Sequence, residues 1–101
     1  MEIMKENKNF TKEPLRLASM LLAQNIPHEV RECWDGLQVC YPSYKNCISD
    51  AVCHSGSYGH EKGLLEIMGL VDEAEVGDSV EGWLTAEEVC ARWAKHYKEG
   101  E

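Results

Sequence analysis

The pair Asp35-Gly36, set between two short segments of alternating polar and apolar residues, constrains the fold of this chain more than any other feature. Both central positions of a type I′ hairpin turn need positive φ, which Asp and Gly tolerate. Segments 28–34 and 37–41 are therefore predicted to pair as antiparallel strands, with Trp34 opposite Leu37. One face of this hairpin carries Val30, Glu32, Trp34, Leu37, Val39 and Tyr41, and the other carries Arg31, Cys33, Gln38 and Cys40.

An amphipathic helix is predicted before the hairpin. Thr11 can cap its start, and Pro14 is tolerated because it lies in the first turn. Asn25 favours the left-handed conformation that ends many helices, and Pro27 cannot continue one. The apolar stripe of this helix consists of Leu15, Ala18, Leu21 and Leu22, widened by Leu17 and Met20.

Two more helices are predicted on either side of a glycine-containing break at residues 56–59. Ser43 can cap the first of these helices, and Gly56 ends it. The second helix ends at Gly69. The apolar stripes are Tyr44, Cys47, Ile48, Ala51 and Val52 in the first helix, and Leu64, Leu65, Ile67 and Met68 in the second.

A last helix is predicted from Thr85 onward, because Thr85 and Glu88 have the spacing of a capping box. Its apolar stripe is Ala86, Val89, Cys90, Trp93 and Tyr97. The residues before it, 80–84, can form a short strand. We therefore expect an α+β fold with an N-terminal helix, a β-hairpin that a third short strand can extend, and two or three further helices on one face of a small antiparallel sheet.

The length of 101 residues suits one domain, residues 11–98, preceded by a loose polar arm at residues 1–10. No apolar run is long enough for a membrane span, and the first residues lack the apolar centre of a secretion signal. We therefore expect a cytoplasmic protein. Its five cysteines are then reduced thiols, and the odd count fits a disulfide framework poorly.

The net charge of −8 is concentrated in one part of the chain, because no Lys or Arg occurs between Lys62 and Arg92. This acidic interval repels nucleic acid and attracts a basic protein surface. We expect an interaction surface within residues 72–88, and a merely solvated face is the alternative interpretation. The residues at the centre of this predicted surface are Asp72, Glu73, Glu75 and Asp78.

The segment 50–62 concentrates side chains suited to ligand binding. Asp50 and His54 lie four residues apart, which brings them together on one face of the predicted helix. A glycine-containing turn that enters a helix exposes backbone N–H groups, and these favour a small anionic ligand such as a nucleotide-type signal. The alternative is that Ser57 only caps the helix and Tyr58 only packs on a neighbour. The candidate ligand-binding residues are Asp50, His54, Ser57, Tyr58, His60 and Lys62.

Enzyme and metal chemistry have weaker signals. Asp50 and His54 could support a hydrolase, but no feature of the sequence indicates a substrate. Cys53 projects about 100° away from His54 around a helix, so the two would not face each other. No C-x-x-C pair is present, and the His and Cys spacing is unlike that of zinc sites. We therefore predict no metal, no cofactor and no catalytic residue, and we expect Trp83 and Trp93 to be core residues.

Several segments together resemble small uncharacterised proteins of phages, prophages and mobile elements of gut bacteria. They are residues 11–22, 26–42 with WDG at 34–36, 50–54 (DAVCH), 57–61 (SYGHE), 63–70 (GLLEIMGL) and 82–89 (GWLTAEEV). The resemblance implies an accessory protein, and such proteins often counter a host defence by binding its signalling nucleotide or by occupying a host protein. Two partners are thus expected as alternatives, a small anionic ligand or a basic host protein. A homodimer that buries an exposed sheet edge is a further expectation.

Overall fold

The computed structural model describes residues 9–71 and 80–100. In that part of the chain two helices accompany five strands, so the α+β class expected from the sequence is confirmed. The five strands form one antiparallel sheet in the order β1-β2-β3-β4-β5, which is the order of the chain. The elements are α1 (Lys12–Ala23), β1 (Glu29–Cys33), β2 (Gly36–Pro42), β3 (Cys47–Cys53), a single 3₁₀ turn (His60–Lys62), β4 (Leu65–Met68), β5 (Val80–Leu84) and α2 (Ala86–Glu99).

The predicted hairpin exists, but its turn lies one residue earlier than expected. Cys33 pairs with Gly36, so the two turn residues are Trp34 and Asp35, and the positive φ of 57° belongs to Trp34. Gly36 is required for a different reason. A Cβ on Gly36 would overlap the carbonyl oxygen of Cys53 on the neighbouring strand. The observed pairing of β1 with β2 differs from the predicted pairing by two residues. Because side chains alternate with a period of two, each strand residue keeps the face that was predicted for it.

Helix α1 agrees with the sequence-based expectation in its position. Pro14 lies in the first turn, and Asn25 has the left-handed φ of 59°. The buried side is narrower than predicted, because Leu17 and Leu21 are fully buried whereas Leu22 is 69% exposed. Leu15 is also exposed.

The prediction of a helix after Ser43 is wrong, because residues 47–53 form strand β3. Ser43 does accept a hydrogen bond from the backbone N–H of Asn46, but it closes the turn between β2 and β3. Within the strand Ser49 and Ala51 are buried and Asp50 is half-buried, which is the two-residue period of a sheet. The apolar residues here fit a helical stripe and a strand equally well, and pairing with β2 decides between them.

The prediction of a helix after Gly59 is also wrong. Its place is taken by the short 3₁₀ turn and by β4, in which Leu65 and Ile67 are buried on one face while Glu66 points to the other. Gly69 ends this strand with a φ of 83°. The described residues therefore contain two helices instead of the three or four expected.

Strand β5 and helix α2 follow the sequence-based expectation. The capping box of α2 is complete, since Thr85 accepts a hydrogen bond from the Glu88 backbone and Glu88 accepts one from the Thr85 backbone. The predicted stripe of this helix is buried at Ala86, Val89, Cys90 and Trp93, and half-buried at Tyr97.

Both helices cover the same face of the sheet, and the core lies between the two layers. Trp93 is fully buried there, donates a hydrogen bond of 3.0 Å from Nε1 to Ser49 Oγ, and stacks on Tyr41. Phe10 belongs to the same core. Neither helix in residues 9–71 and 80–100 has the length and apolarity needed to cross a membrane.

Candidate functional site

The candidate site is the face of the sheet opposite the helices, which we call the outer face. Side chains alternate between the two faces along each strand, so the neighbours of buried core residues point to the outer face. The outer face includes Arg31 and Cys33 of β1, Gln38 of β2, Asp50 and Val52 of β3, Glu66 and Met68 of β4, and Trp83 of β5.

One row of these residues, which we call the central row, crosses all five strands. Arg31 pairs with Gln38, Gln38 pairs with Val52, and Val52 pairs with Glu66. Glu66 lies opposite the irregular part of β5 that contains Trp83. The row spans about 19 Å, because it crosses four inter-strand spacings. It therefore places polar groups on both sides of Val52 and an aromatic residue at the β5 end.

A groove of about 270 Å³ lies on the outer face. Typical sites for small ligands enclose about 300–1,000 Å³. The groove is thus small for an enclosed ligand and better suited to a side chain that enters from above. Its lining residues are Cys33, Gln38, Asp50, Val52, His54, Gly56, Glu66 and Met68.

Two carboxylates give the groove its chemical character. Asp50 Oδ2 accepts a hydrogen bond from Gln38 Nε2, and Glu66 Oε1 accepts one of 2.8 Å from the backbone N–H of Tyr58. These bonds fix the orientation of both carboxylates. Each ionised carboxylate has about four lone-pair sites, so both retain capacity for further donors.

The thiol of Cys33 also lines the groove. Burial raises the pKa of the Cys33 thiol, the positive charge of Arg31 lowers it, and the negative charge of Asp50 raises it by less than Arg31 lowers it. The raised pKa of Cys33 is therefore an effect of burial and not of the sign of the surrounding charge.

A first aromatic pair stands at the β1-β2 end of the outer face. The rings of Trp34 and His54 stack with centroids 5.1 Å apart and an interplanar angle of 25°. His54 Nδ1 accepts a hydrogen bond of 3.0 Å from the backbone N–H of Gly56, which assigns the ring proton of neutral His54 to Nε2. Asp35 Oδ1 accepts a bond from the Ser55 backbone, and this bond lowers the pKa of Asp35. The hairpin turn is thereby attached to the end of β3.

A second aromatic pair stands at the β5 end. The rings of Tyr58 and Trp83 stack with centroids 5.7 Å apart and an interplanar angle of 7°. Gly82 permits this arrangement, because a Cβ there would overlap the Cβ of Tyr58. Gly59, with a φ of 96°, lets the turn approach the backbone of Trp83. The turn at residues 57–60 thus holds Tyr58 against Trp83.

Both exposed tryptophans have an unusual backbone conformation. Trp34 is 81% exposed with a φ of 57°, and Trp83 is 52% exposed with a φ of 58°. A bulky side chain in the left-handed region costs about 1–2 kcal/mol. Strained backbone positions cluster at functional sites, so Trp34 and Trp83 are candidates for a binding surface. The expectation that Trp83 is a core residue is therefore wrong, whereas that for Trp93 is confirmed.

The structure separates the predicted ligand-binding residues. Asp50 and His54 line the groove, and Tyr58 lies at the end of the central row. Ser57 is 2% exposed, and its hydroxyl bonds to the backbone N–H and carbonyl of His54. His60 Nδ1 lies 2.6 Å from the carbonyl of Ser57, and its ring packs on Phe10. Ser57 and His60 therefore hold the turn together.

The helical arguments for this segment do not hold. The hydrolase interpretation relied on two side chains one helical turn apart, whereas in extended chain the Cα atoms of residues four apart are separated by about 13 Å. Asp50 lies on β3 and His54 follows the end of that strand, so the helical pairing is absent. Cys53 is buried on the core side of the sheet. Lys62 is exposed on the 3₁₀ turn and does not line the groove. In the described part of the chain, no group of three or more His, Cys, Asp or Glu residues is placed to hold a metal ion.

The predicted anion site at the turn lacks its structural basis. The single 3₁₀ turn replaces the helix whose dipole would attract an anion. The N–H of Ser57 binds the His54 carbonyl, that of Tyr58 binds Glu66, and that of Lys62 binds the Gly59 carbonyl. The acidic residues Asp72, Glu73, Glu75 and Asp78 lie outside the described residues.

Of the eight strand residues named on the outer face, only Asp50 belonged to the predicted ligand-binding site, and Trp34 in the neighbouring turn was absent from it as well. The helical interpretation of residues 43–69 hid them, because it removed β3 and β4, the strands that connect the hairpin to residues 80–84. A usable signal was Glu66, a polar residue between Leu65 and Ile67, since this alternation is typical of a half-buried strand.

No protein-family model, curated protein or solved structure matches this chain. The resemblance to phage and mobile-element proteins therefore stays a prediction, and the geometry of the outer face carries the functional argument.

Proposed function

We propose that this protein is an interaction module that binds a basic, extended segment of another protein across the outer face. The observation that carries the proposal is the neighbouring position of the exposed Tyr58–Trp83 stack and the carboxylate of Glu66 at one end of the central row. Cationic side chains are recognised by such a combination of an aromatic face and an acceptor.

Charge selects the class of partner. Asp50 and Glu66 are acceptors in the groove, while Arg31 is the cationic member of the central row. Arg31 already donates to Gln38 Oε1 and lies 3.8 Å from the centre of the Tyr44 ring. The whole chain has a net charge of −8. This field attracts a basic partner and disfavours a phosphate.

Geometry favours arginine over lysine. A guanidinium group is planar, so it can stack on the indole of Trp83 and donate to Glu66 through its edge. Trp83 and Glu66 lie on adjacent strands, which are about 4.8 Å apart, so one guanidinium group can contact both side chains. At the opposite end, the Trp34–His54 stack offers a second aromatic surface.

Size favours a peptide segment over an enclosed small molecule. The central row of about 19 Å matches about six residues of extended chain. The groove of about 270 Å³ then receives one side chain of that segment. The exposed aromatic residues would provide the anchors that dominate such interfaces.

The site proposed here differs from the acidic surface expected at residues 72–88, while the class of partner, a basic protein, is the same. The nucleotide-type ligand is the competing hypothesis. It would also use Tyr58, but it must place phosphates near Asp50 and Glu66. Counter-defence in a phage or mobile element is a prediction that depends on the resemblance alone.

The experiment is a binding titration with three probes: an alternating Arg–Val peptide, an alternating Glu–Val peptide and ADP-ribose. Intrinsic tryptophan fluorescence is a suitable signal, because Trp34 and Trp83 are exposed and Trp93 is buried. We expect saturable binding of the Arg–Val peptide that weakens with added salt, and no binding of the other two probes. Saturable binding of ADP-ribose without peptide binding would instead support the nucleotide hypothesis.

A further inference from the structure

The edge strand β1 has a charge pattern that is complementary to itself in one register. β1 is the first strand of the sheet, and its residues Glu29, Val30, Arg31 and Glu32 are all exposed. We infer that β1 pairs antiparallel with β1 of a second copy of this chain, which joins the two sheets into one. This inference goes beyond the proposed function, because it concerns pairing at the edge of the sheet and is tested by self-association without a peptide, although Arg31 also belongs to the outer face.

The symmetry of the pairing limits the registers. A twofold axis perpendicular to a sheet relates two antiparallel strands so that one residue faces its own copy. Centring on Glu29, Arg31 or Glu32 places a charged residue opposite itself, which is destabilising. Centring on Val30 places Val30 opposite Val30, and each Glu29 opposite the partner's Arg31. Among these four registers, only the one centred on Val30 brings opposite charges together.

The backbone of β1 fits the same register. Cys33 and Gly36 flank a two-residue turn and therefore form a pair that exchanges both hydrogen bonds. The backbone groups of Cys33, Arg31 and Glu29 then point toward β2, and those of Val30 and Glu32 point outward. A centre at Val30 therefore brings two outward-pointing backbones together. The two Glu29–Arg31 pairs lie on either side of this centre. They are non-hydrogen-bonded pairs, in which opposite side chains are closest.

Neighbouring groups leave room for these ion pairs. Glu29 Oε1 accepts a hydrogen bond of 2.9 Å from the backbone N–H of Tyr44, and Arg31 Nη1 donates to Gln38. These contacts orient both side chains on the outer face. A guanidinium has five donors and a carboxylate about four acceptor sites, so each can also bind the partner's opposite charge. On the inner side of β1, Val30 is 39% exposed and Glu32 is also exposed, so this side of the strand is accessible.

Charged residues on an edge strand often prevent pairing, and the sequence of β1 is open to that alternative. A protective pattern places like charges opposite each other in every register. The order Glu29-Val30-Arg31 is different, because a twofold axis at Val30 places each Glu29 opposite the partner's Arg31. These opposite charges attract each other. The test must therefore distinguish a protective charge from a complementary one.

The test is sedimentation equilibrium of the full chain over a concentration series. We expect a monomer–dimer equilibrium for the unchanged protein and monomers for Glu29→Arg and for Arg31→Glu. The double variant Glu29→Arg/Arg31→Glu should dimerise again, and an equimolar mixture of the two single variants should form a heterodimer. Far-UV circular dichroism of each variant checks that the sheet is intact.

Val30→Pro provides a second variant that does not depend on charge. It removes the outward N–H at the centre of the pairing, at a position where an edge strand tolerates proline. We expect a folded monomer. A monomeric unchanged protein at all concentrations, a double variant that stays monomeric, or a Val30→Pro protein that still dimerises would each overturn the inference.

Discussion

Trp83 and Tyr58 stack almost in parallel, with ring centroids 5.7 Å apart, although both side chains are more than half exposed. Trp83 has a positive φ of 58°, which is unfavourable for a bulky residue. The carboxylate of Glu66 binds the backbone N–H of Tyr58 beside this stack. Packing alone would place such a tryptophan in the core, and the proposal that this face recognises a partner is based on its exposed position.

Replacing Trp83 by Gly or by Ala separates backbone strain from binding. Both variants lose the indole, so both should bind the Arg–Val peptide at least tenfold more weakly, about 1.4 kcal/mol or more. Gly also relieves the positive φ, so the Gly variant should be more stable than the Ala variant by about 1 kcal/mol. Urea unfolding and peptide titration measure the two effects. Equal stability of the two variants would show that position 83 is unstrained.

Neutralising the carboxylates of the groove should weaken binding of the basic peptide. Glu66→Gln and Asp50→Asn each remove one charge from the outer face, whereas Glu99→Gln removes the same charge from the end of α2. We expect a loss of about 1–2 kcal/mol in binding free energy for the first two variants and little change for the third. Isothermal titration calorimetry provides the measurement. Equal losses in all three would indicate attraction by net charge without a defined site.

The two glycines near the end of β3 should differ in their tolerance of a methyl group. Gly36→Ala forces a Cβ into the carbonyl oxygen of Cys53, so we expect a loss of about 3 kcal/mol in the free energy of unfolding. Gly56→Ala places its Cβ 3.5 Å from the ring of His54, an ordinary contact, and should change stability by less than about 0.5 kcal/mol. Thermal unfolding of the pair provides the check. A stable Gly36→Ala protein would contradict the observed approach of β3 to β2.

Stability should decrease at alkaline pH through two buried thiols. Burial raises the pKa of Cys40 to about 12 and that of Cys53 to about 11, from an ordinary value of 9.0. The folded protein thus holds protons that the unfolded chain releases above pH 9, so the free energy of unfolding decreases from pH 9 toward pH 12. Urea unfolding across this range measures the slope. Cys40→Ala should have a shallower slope, and an unchanged slope would assign the effect to other groups.

The sequence predicted those elements whose signals are local. The capping box at Thr85 and Glu88, the left-handed Asn25 and the hairpin around Asp35 each depend on a few neighbouring residues, and all three are present. Even there, the hairpin glycine proved to be needed for the approach of another strand. Such a contact is not visible in a local pattern.

The central part of the chain could not be predicted in this way. The spacing of Cys47, Ile48, Ala51 and Val52 fits a helix as well as a strand, and only pairing with β2 and β4 selects the strand. In the predicted helix, Asp50 and His54 would lie one turn apart. In the observed extended chain they are further apart, and Asp50 instead lines the same groove as Glu66, which is 16 residues later in the chain. The candidate site is therefore a consequence of sheet registry.

The most direct test of the proposed function is a nuclear magnetic resonance titration that follows the three tryptophan indole N–H signals while the Arg–Val peptide is added. Trp34 and Trp83 lie on the outer face, and the indole of Trp93 is buried in a bond to Ser49 on the opposite side of the sheet. We expect the first two signals to shift to saturation while that of Trp93 stays in place. A saturating peptide that leaves Trp34 and Trp83 unshifted would contradict the assignment of the outer face as the binding surface.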